Sequence, residues 1–171
     1  MSRRPRLLTW LLLAIWMTWV TAIQSRLAES PSYRFPPPDL NLVFLVSLAL
    51  VVRRADLLPL ALIAGLARTS FSLDPPQALL FLTLAIGTLA VASRRALHLE
   101  GPIWRALLSG FGAVFAALWL ARVRSVRGVD ALPTDVVAAT VLAISSALSA
   151  LVLGGLFLRL PGLKPLRRSK R

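Results

Sequence analysis

The chain has 171 residues, 57% of them hydrophobic, a mean hydropathy of +0.73 and no cysteine. Ordinary soluble domains are about 45–50% apolar, so this is the composition of an integral membrane protein, and the lack of thiols excludes disulfide frameworks and thiolate metal sites. The net charge of +13 would suggest nucleic acid in a soluble chain, but the basic residues lie between apolar runs and at the ends, as topology determinants facing anionic headgroups do. No basic helix face with interleaved aromatics exists, so nucleic acid is not an expected partner.

The first apolar run covers 7–23 behind Arg3, Arg4 and Arg6. Signal-peptide cores usually hold about 7–15 residues; a retained first transmembrane helix is the expectation here. Residues 24–38 make a short polar loop.

The stretch 36–76 reads as a membrane hairpin. Pro36, Pro37 and Pro38 favour a stiff, extended approach, and Asp39 is placed to cap the run 40–52. Arg53, Arg54 and Asp56 then interrupt the apolar sequence before a second run, 57–73. One continuous helix would carry those charges at mid-membrane at about 2.5–3.5 kcal/mol each, roughly 8–10 kcal/mol in all, so a turn is expected there. The second arm must reach Leu73 to approach the ~20-residue length of a span, with Arg68 snorkelling outward. Counted from the turn, Asp39 and Arg68 fall at similar depth near the far face, where they could pair, and Asp74 follows.

The fourth run, 78–92, ends at Ser93, Arg94 and Arg95, ahead of a loop carrying the single histidine, His98, and Glu100. The fifth is 103–121, with Arg105 close enough to the interface to snorkel. After a loop over 122–135, Pro133, Thr134 and Asp135 form a helix start, and the sixth run, 136–158, is the longest and cleanest. Residues 159–171 read as a basic tail. The expected fold is therefore an all-α membrane protein, one domain of six transmembrane helices. Thirteen arginines and lysines fall on the side of the termini and six on the other, which places the termini in the cytoplasm. Trp10 and Trp104 would lie near the inner interface, Trp19 and Trp119 near the outer one.

Catalysis needs an acid, base or nucleophile converging with charge stabilisers. The acids, Glu29, Asp39, Asp56, Asp74, Glu100, Asp130 and Asp135, all lie in loops or at helix ends, and no two have metal-ligand spacing on one helix face. One histidine cannot build an HExxH zinc site. Ser70, Ser72, Ser109, Ser145 and Ser146 read as hydrogen-bonding residues, and Gly110 and Gly112 as packing. No enzyme, cofactor or metal site is expected. Ser109, Ala113 and Ala117, and likewise Ser146, Ala150 and Gly154, recur every four residues as smooth strips for close helix approach, within the chain or to a partner's helix. Asp39, Arg68 and Asp74 form the remaining polar group: helix caps and a snorkelling arginine, or a partly buried lock at the hairpin mouth contacted by a partner.

At these residues the chain resembles the MreD family of bacterial rod-shape proteins. The likeness rests on Pro38-Asp39-Leu40 opening an apolar helix, the arginine-rich break, Gly65-Leu66 followed by Asp74, Arg94-Arg95, and the segment 97–102 ahead of the next span. Arg68 and Pro75-Pro76 depart from the pattern. The resemblance implies a non-enzymatic scaffold of the bacterial inner membrane that binds an MreC-like partner and acts with MreB, RodA and a class B penicillin-binding protein in lateral peptidoglycan synthesis. It also implies a fold similar to the substrate-binding components of ECF-type transporters, which makes a small-molecule-binding transport component the alternative expectation.

Overall fold

A computed structural model of the protein describes residues 5–30, 36–97, 101–129 and 135–166. These form six helices: α1 (Pro5–Glu29), α2 (Leu40–Ala49), α3 (Leu57–Thr69), α4 (Pro76–Leu97), α5 (Pro102–Val126) and α6 (Val136–Phe157), with single 3-10 turns at Arg54–Asp56 and Lys164–Leu166. Among the described residues there is no strand. Arg3, Arg4, Arg34, His98, Glu100, Asp130, Pro133, Thr134 and the end of the basic tail, 167–171, lie outside them.

Helix ends differ from the apolar runs for identifiable reasons. Pro76 and Pro102 start α4 and α5, since a proline in the first turn gives up no intrahelical bond. At their other ends α4 continues through Arg94 and Arg95 and α5 through Arg122 and Arg124, because cations in a last turn complement the helix dipole. In contrast, α3 stops at Thr69 and does not reach Leu73. The Thr69 and Ser70 hydroxyls both donate to the Leu66 carbonyl, and Pro75 holds Asp74 away from helical geometry.

Four helices, α1, α4, α5 and α6, are long and apolar enough to cross a membrane. With ten and thirteen residues, α2 and α3 rise only about 15 and 20 Å, short of a ~30 Å hydrocarbon core. They form the antiparallel hairpin read from the sequence, with its turn at the 3-10 helix Arg54–Asp56. There Arg53 and Arg54 are exposed, while Asp56 is buried at the start of α3.

Every residue of α2 is buried, so the shortest helix is the axis around which the rest pack. A helix that is apolar all round belongs at the centre of a bundle; Phe44 meets Phe157 of α6 with ring centroids 4.7 Å apart. Away from water its terminal N–H and C=O groups need protein partners. At the first end Asp39 Oδ1 accepts from the Leu42 N–H (3.1 Å) and Gln24 Oε1 from the Asn41 N–H (3.1 Å). At the other, Arg94 Nη1 donates to the Leu50 and Val52 carbonyls, both at 2.9 Å. Arg94, by sequence a topology charge closing the fourth run, is thus a helix cap only 7% exposed.

These contacts sort the bundle into two ends. The hairpin turn and the end of α4 share one, the turn end. The first half of α1 meets the chain beyond α6 there, through Trp16 Nε1 to the Pro161 carbonyl (3.4 Å) and Leu12 against Gly162. Asp39, Arg68, Asp74 and the close of α1 and α5 define the other, the mouth end.

Candidate functional site: a charged cavity at the hairpin mouth

Asp39 precedes α2 and Arg68 sits in the last turn of α3, so the antiparallel hairpin brings them together. Arg68 Nη1 lies 2.8 Å from Asp39 Oδ2, with side chains 13% and 6% exposed. The N–H is not aimed along that line, so the contact is a close ion pair more than a directed hydrogen bond. Asp39 also donates its backbone N–H to Ser146 Oγ of α6 (3.0 Å). Ser146 stands ten residues into α6, about 15 Å along its axis, which puts this pair deep in the bundle and not at its rim. Arg68 is therefore neither snorkelling to water nor apolar filling.

Asp74 is held by a different partner. Arg124 of α5 grips it with two hydrogen bonds, Nε to Oδ1 at 2.7 Å and Nη2 to Oδ2 at 2.8 Å, the fork geometry that makes arginine–carboxylate pairs strong. Ser72 Oγ adds a third, donating to Asp74 Oδ2 at 2.9 Å. The Arg124 guanidinium holds the Asp74 carboxyl below the ordinary aspartate range, burial opposing and Ser72 assisting, with a smaller through-space contribution from Arg68. The three-residue group expected from sequence is thus two tiers: Asp39 with Arg68 below, Asp74 with Arg124 above. The signal for Arg124 was present. The α5 face carrying Ser109, Ala113 and Ala117 continues at helical spacing through Leu120 to Arg124.

Two adjoining cavities of about 570 and 360 Å³ lie between these tiers and the end of α1. Both are lined by Gln24, Arg68, Leu120 and Arg124; Asp39 belongs to the larger, Asp74 and Ser72 to the smaller. Volumes of about 300–1,000 Å³ are those of small-molecule sites. The lining combines two guanidiniums, three carboxylates counting Glu29 at the close of α1, an amide and hydroxyls over apolar walls, a set able to orient a polar or charged group. Among the described residues no three acids or histidines come together as a metal site.

No family model, curated protein or solved structure matches this chain.

The remaining residues singled out in the sequence have structural positions. Ser146, Ala150 and Gly154 are buried and face α2, as the Ser146 bond to Asp39 and the approach of Ser47 Oγ to Gly154 show. That strip is filled from within the chain. Ser109 and Ala113 are buried too, while Ala117 is half-buried and lines the larger cavity. Arg105, expected to snorkel, is half-buried with its side chain against Gly154.

Proposed function

We propose that the chain is a non-catalytic scaffold of the MreD type in a bacterial inner membrane, binding an MreC-like partner and thereby organising lateral peptidoglycan synthesis and rod shape with MreB, RodA and a class B penicillin-binding protein. Six crossings with cytoplasmic termini go with this reading. The short α2–α3 hairpin crosses only the part of the membrane that the mouth cavity leaves apolar, because non-helical backbone is tolerated where it lines a cavity. The observation that carries the proposal is what the buried charges are engaged in. Asp39, Arg68 and Arg94 hold the ends of the central hairpin, and Asp74 and Arg124 clamp the α3–α4 link to α5. Groups fixed in this way are architectural. The outward face of α6, with Val136, Ile144, Val152 and Leu156 exposed, offers an apolar surface to lipid or to a partner's helix.

Photocrosslinkers along that face, in cells making a tagged MreC-like protein, are expected to trap it, and loss of the chain is expected to round the cells. Absence of any such adduct at every position of α6, with rod shape unaffected by deletion, overturns the proposal. The mouth cavity favours a second reading, a small-molecule-binding transport component. A solute at a hundred times its dissociation constant would add about 2.7 kcal/mol of stability, so thermal shifts against panels of vitamins and related solutes separate the two.

A further inference from the structure

A second concavity lies at the turn end, between the start of α3 and the last turns of α4. It is a groove of about 210 Å³ lined by Arg54, Leu57, Thr88, Val91, Ala92 and Arg95. Its floor is apolar. Gly87 lets Leu57 lie against α4, since a Cβ there would stand 3.0 Å from Leu57 Cδ1, and the Thr88 hydroxyl turns back to the Leu84 and Ala85 carbonyls. Its rim is two exposed guanidiniums, Arg54 and Arg95, for which no ion pair or hydrogen bond occurs among the described residues. Of the neighbouring charges, Arg94 is turned inward to the end of α2 and Asp56 is buried. Beside the groove Leu58 of α3 and Leu84 and Leu89 of the membrane-length α4 are exposed, an apolar surface continuous with the floor. Arg95 lies two residues from the end of α4, where a helix long enough to cross a membrane ends.

We propose that this groove binds one anionic phospholipid, its phosphodiester between Arg54 and Arg95 and the start of an acyl chain over Leu57, Val91 and Ala92. Two exposed guanidiniums side by side complement a net negative headgroup. A choline headgroup brings a cation into the same field and loses that gain. Basic residues at a membrane surface each contribute about fivefold in affinity for anionic lipid, so the pair is expected to give roughly thirtyfold.

The test is lipid retention by the purified full chain in neutral detergent, read by native mass spectrometry with phosphatidylglycerol and phosphatidylcholine in competition. The unsubstituted chain is expected to prefer phosphatidylglycerol by about thirtyfold, R54Q/R95Q to fall within about threefold of no preference, and R159Q/K164Q, exposed at the same end but outside the groove, to keep the full preference. Ala92→Trp fills the floor without changing charge and is expected to lose the lipid as well. Each variant is first matched to the unsubstituted chain by melting temperature in phosphatidylcholine. The inference is overturned by equal retention of the two lipids, by R159Q/K164Q losing as much as R54Q/R95Q, or by A92W binding normally. Displacement by glycerol phosphate at the lipid's own concentration would equally overturn it, since that is a site for the free headgroup.

Discussion

The carboxylate of Asp39 serves two structures at once, Oδ1 closing the first turn of α2 and Oδ2 neutralising Arg68. Asn caps a helix about as well as Asp, so Asp39→Asn isolates the ion pair. Removing one partner of a buried pair costs about 3–5 kcal/mol, because the other charge is left uncompensated. Asp39→Ala should cost about 1 kcal/mol more for the lost cap. D39N/R68Q should be less destabilised than the sum of its singles by more than about 1 kcal/mol, the sign of a direct interaction. Equilibrium unfolding in mixed micelles measures all four, and strict additivity would mean that the pair holds nothing. Asp74 makes a separate prediction through pH. Its folded pKa is depressed, so its contribution is complete above the unfolded value, about 3.9, and is lost as pH falls through the lower folded value. The stability gap between the unsubstituted chain and Asp74→Asn should be constant from pH 7 to 5 and should close below about pH 4. A gap unchanged at pH 3 would contradict the Arg124 clamp.

Among the helices, α5 meets the backbone of α6 at a glycine: a Cβ on Gly110 would stand 2.9 Å from the Ala143 carbonyl oxygen. Backbone cannot move aside as a side chain does, so Gly110→Ala should push the helices apart at a cost of about 1–3 kcal/mol. Gly155, in the same helix pair, meets nothing within 4 Å, and Gly155→Ala should be neutral or stabilising by up to about 1 kcal/mol of helix propensity. Thermal unfolding of the two variants side by side is the measurement, and similar behaviour would place the interface elsewhere. Six helices and the hairpin turn were legible in the sequence because charge in lipid is expensive, and Arg53, Arg54 and Asp56 could only be a break. Helix lengths were less legible. The same reasoning ended α4 before Arg94 and α5 before Arg122, although a terminal arginine can be buried if carbonyls receive it, as those of Leu50 and Val52 do. Whether an arginine snorkels or turns inward depends on which helix end lies beside it, which is tertiary information.

For the molecule as a whole, the two ends of the bundle differ in kind: Arg54 and Arg95, without a partner among the described residues, rim the turn end, and paired arginines line the mouth. The Asp39–Arg68 tier was legible by counting residues from the turn. The Asp74–Arg124 tier was half legible: helical spacing puts Arg124 on the packing face of α5, but no local pattern joins it to a residue fifty positions away. The six-crossing reading requires position 54 and position 73 to lie on opposite faces, although among the described residues only four helices have full membrane length. With no cysteine in the chain, single substitutions test this directly. Leu73 is fully exposed in the α3–α4 link and Arg54 is exposed at the turn, so neither position needs local unfolding to react. A membrane-impermeant maleimide should label Leu73→Cys in intact cells and Arg54→Cys only in inverted vesicles. The short hairpin then reaches both faces because the charged cavity carries the polar environment inward to meet it. If both positions label from the same side, α2 and α3 are a re-entrant pair that turns back within the bilayer.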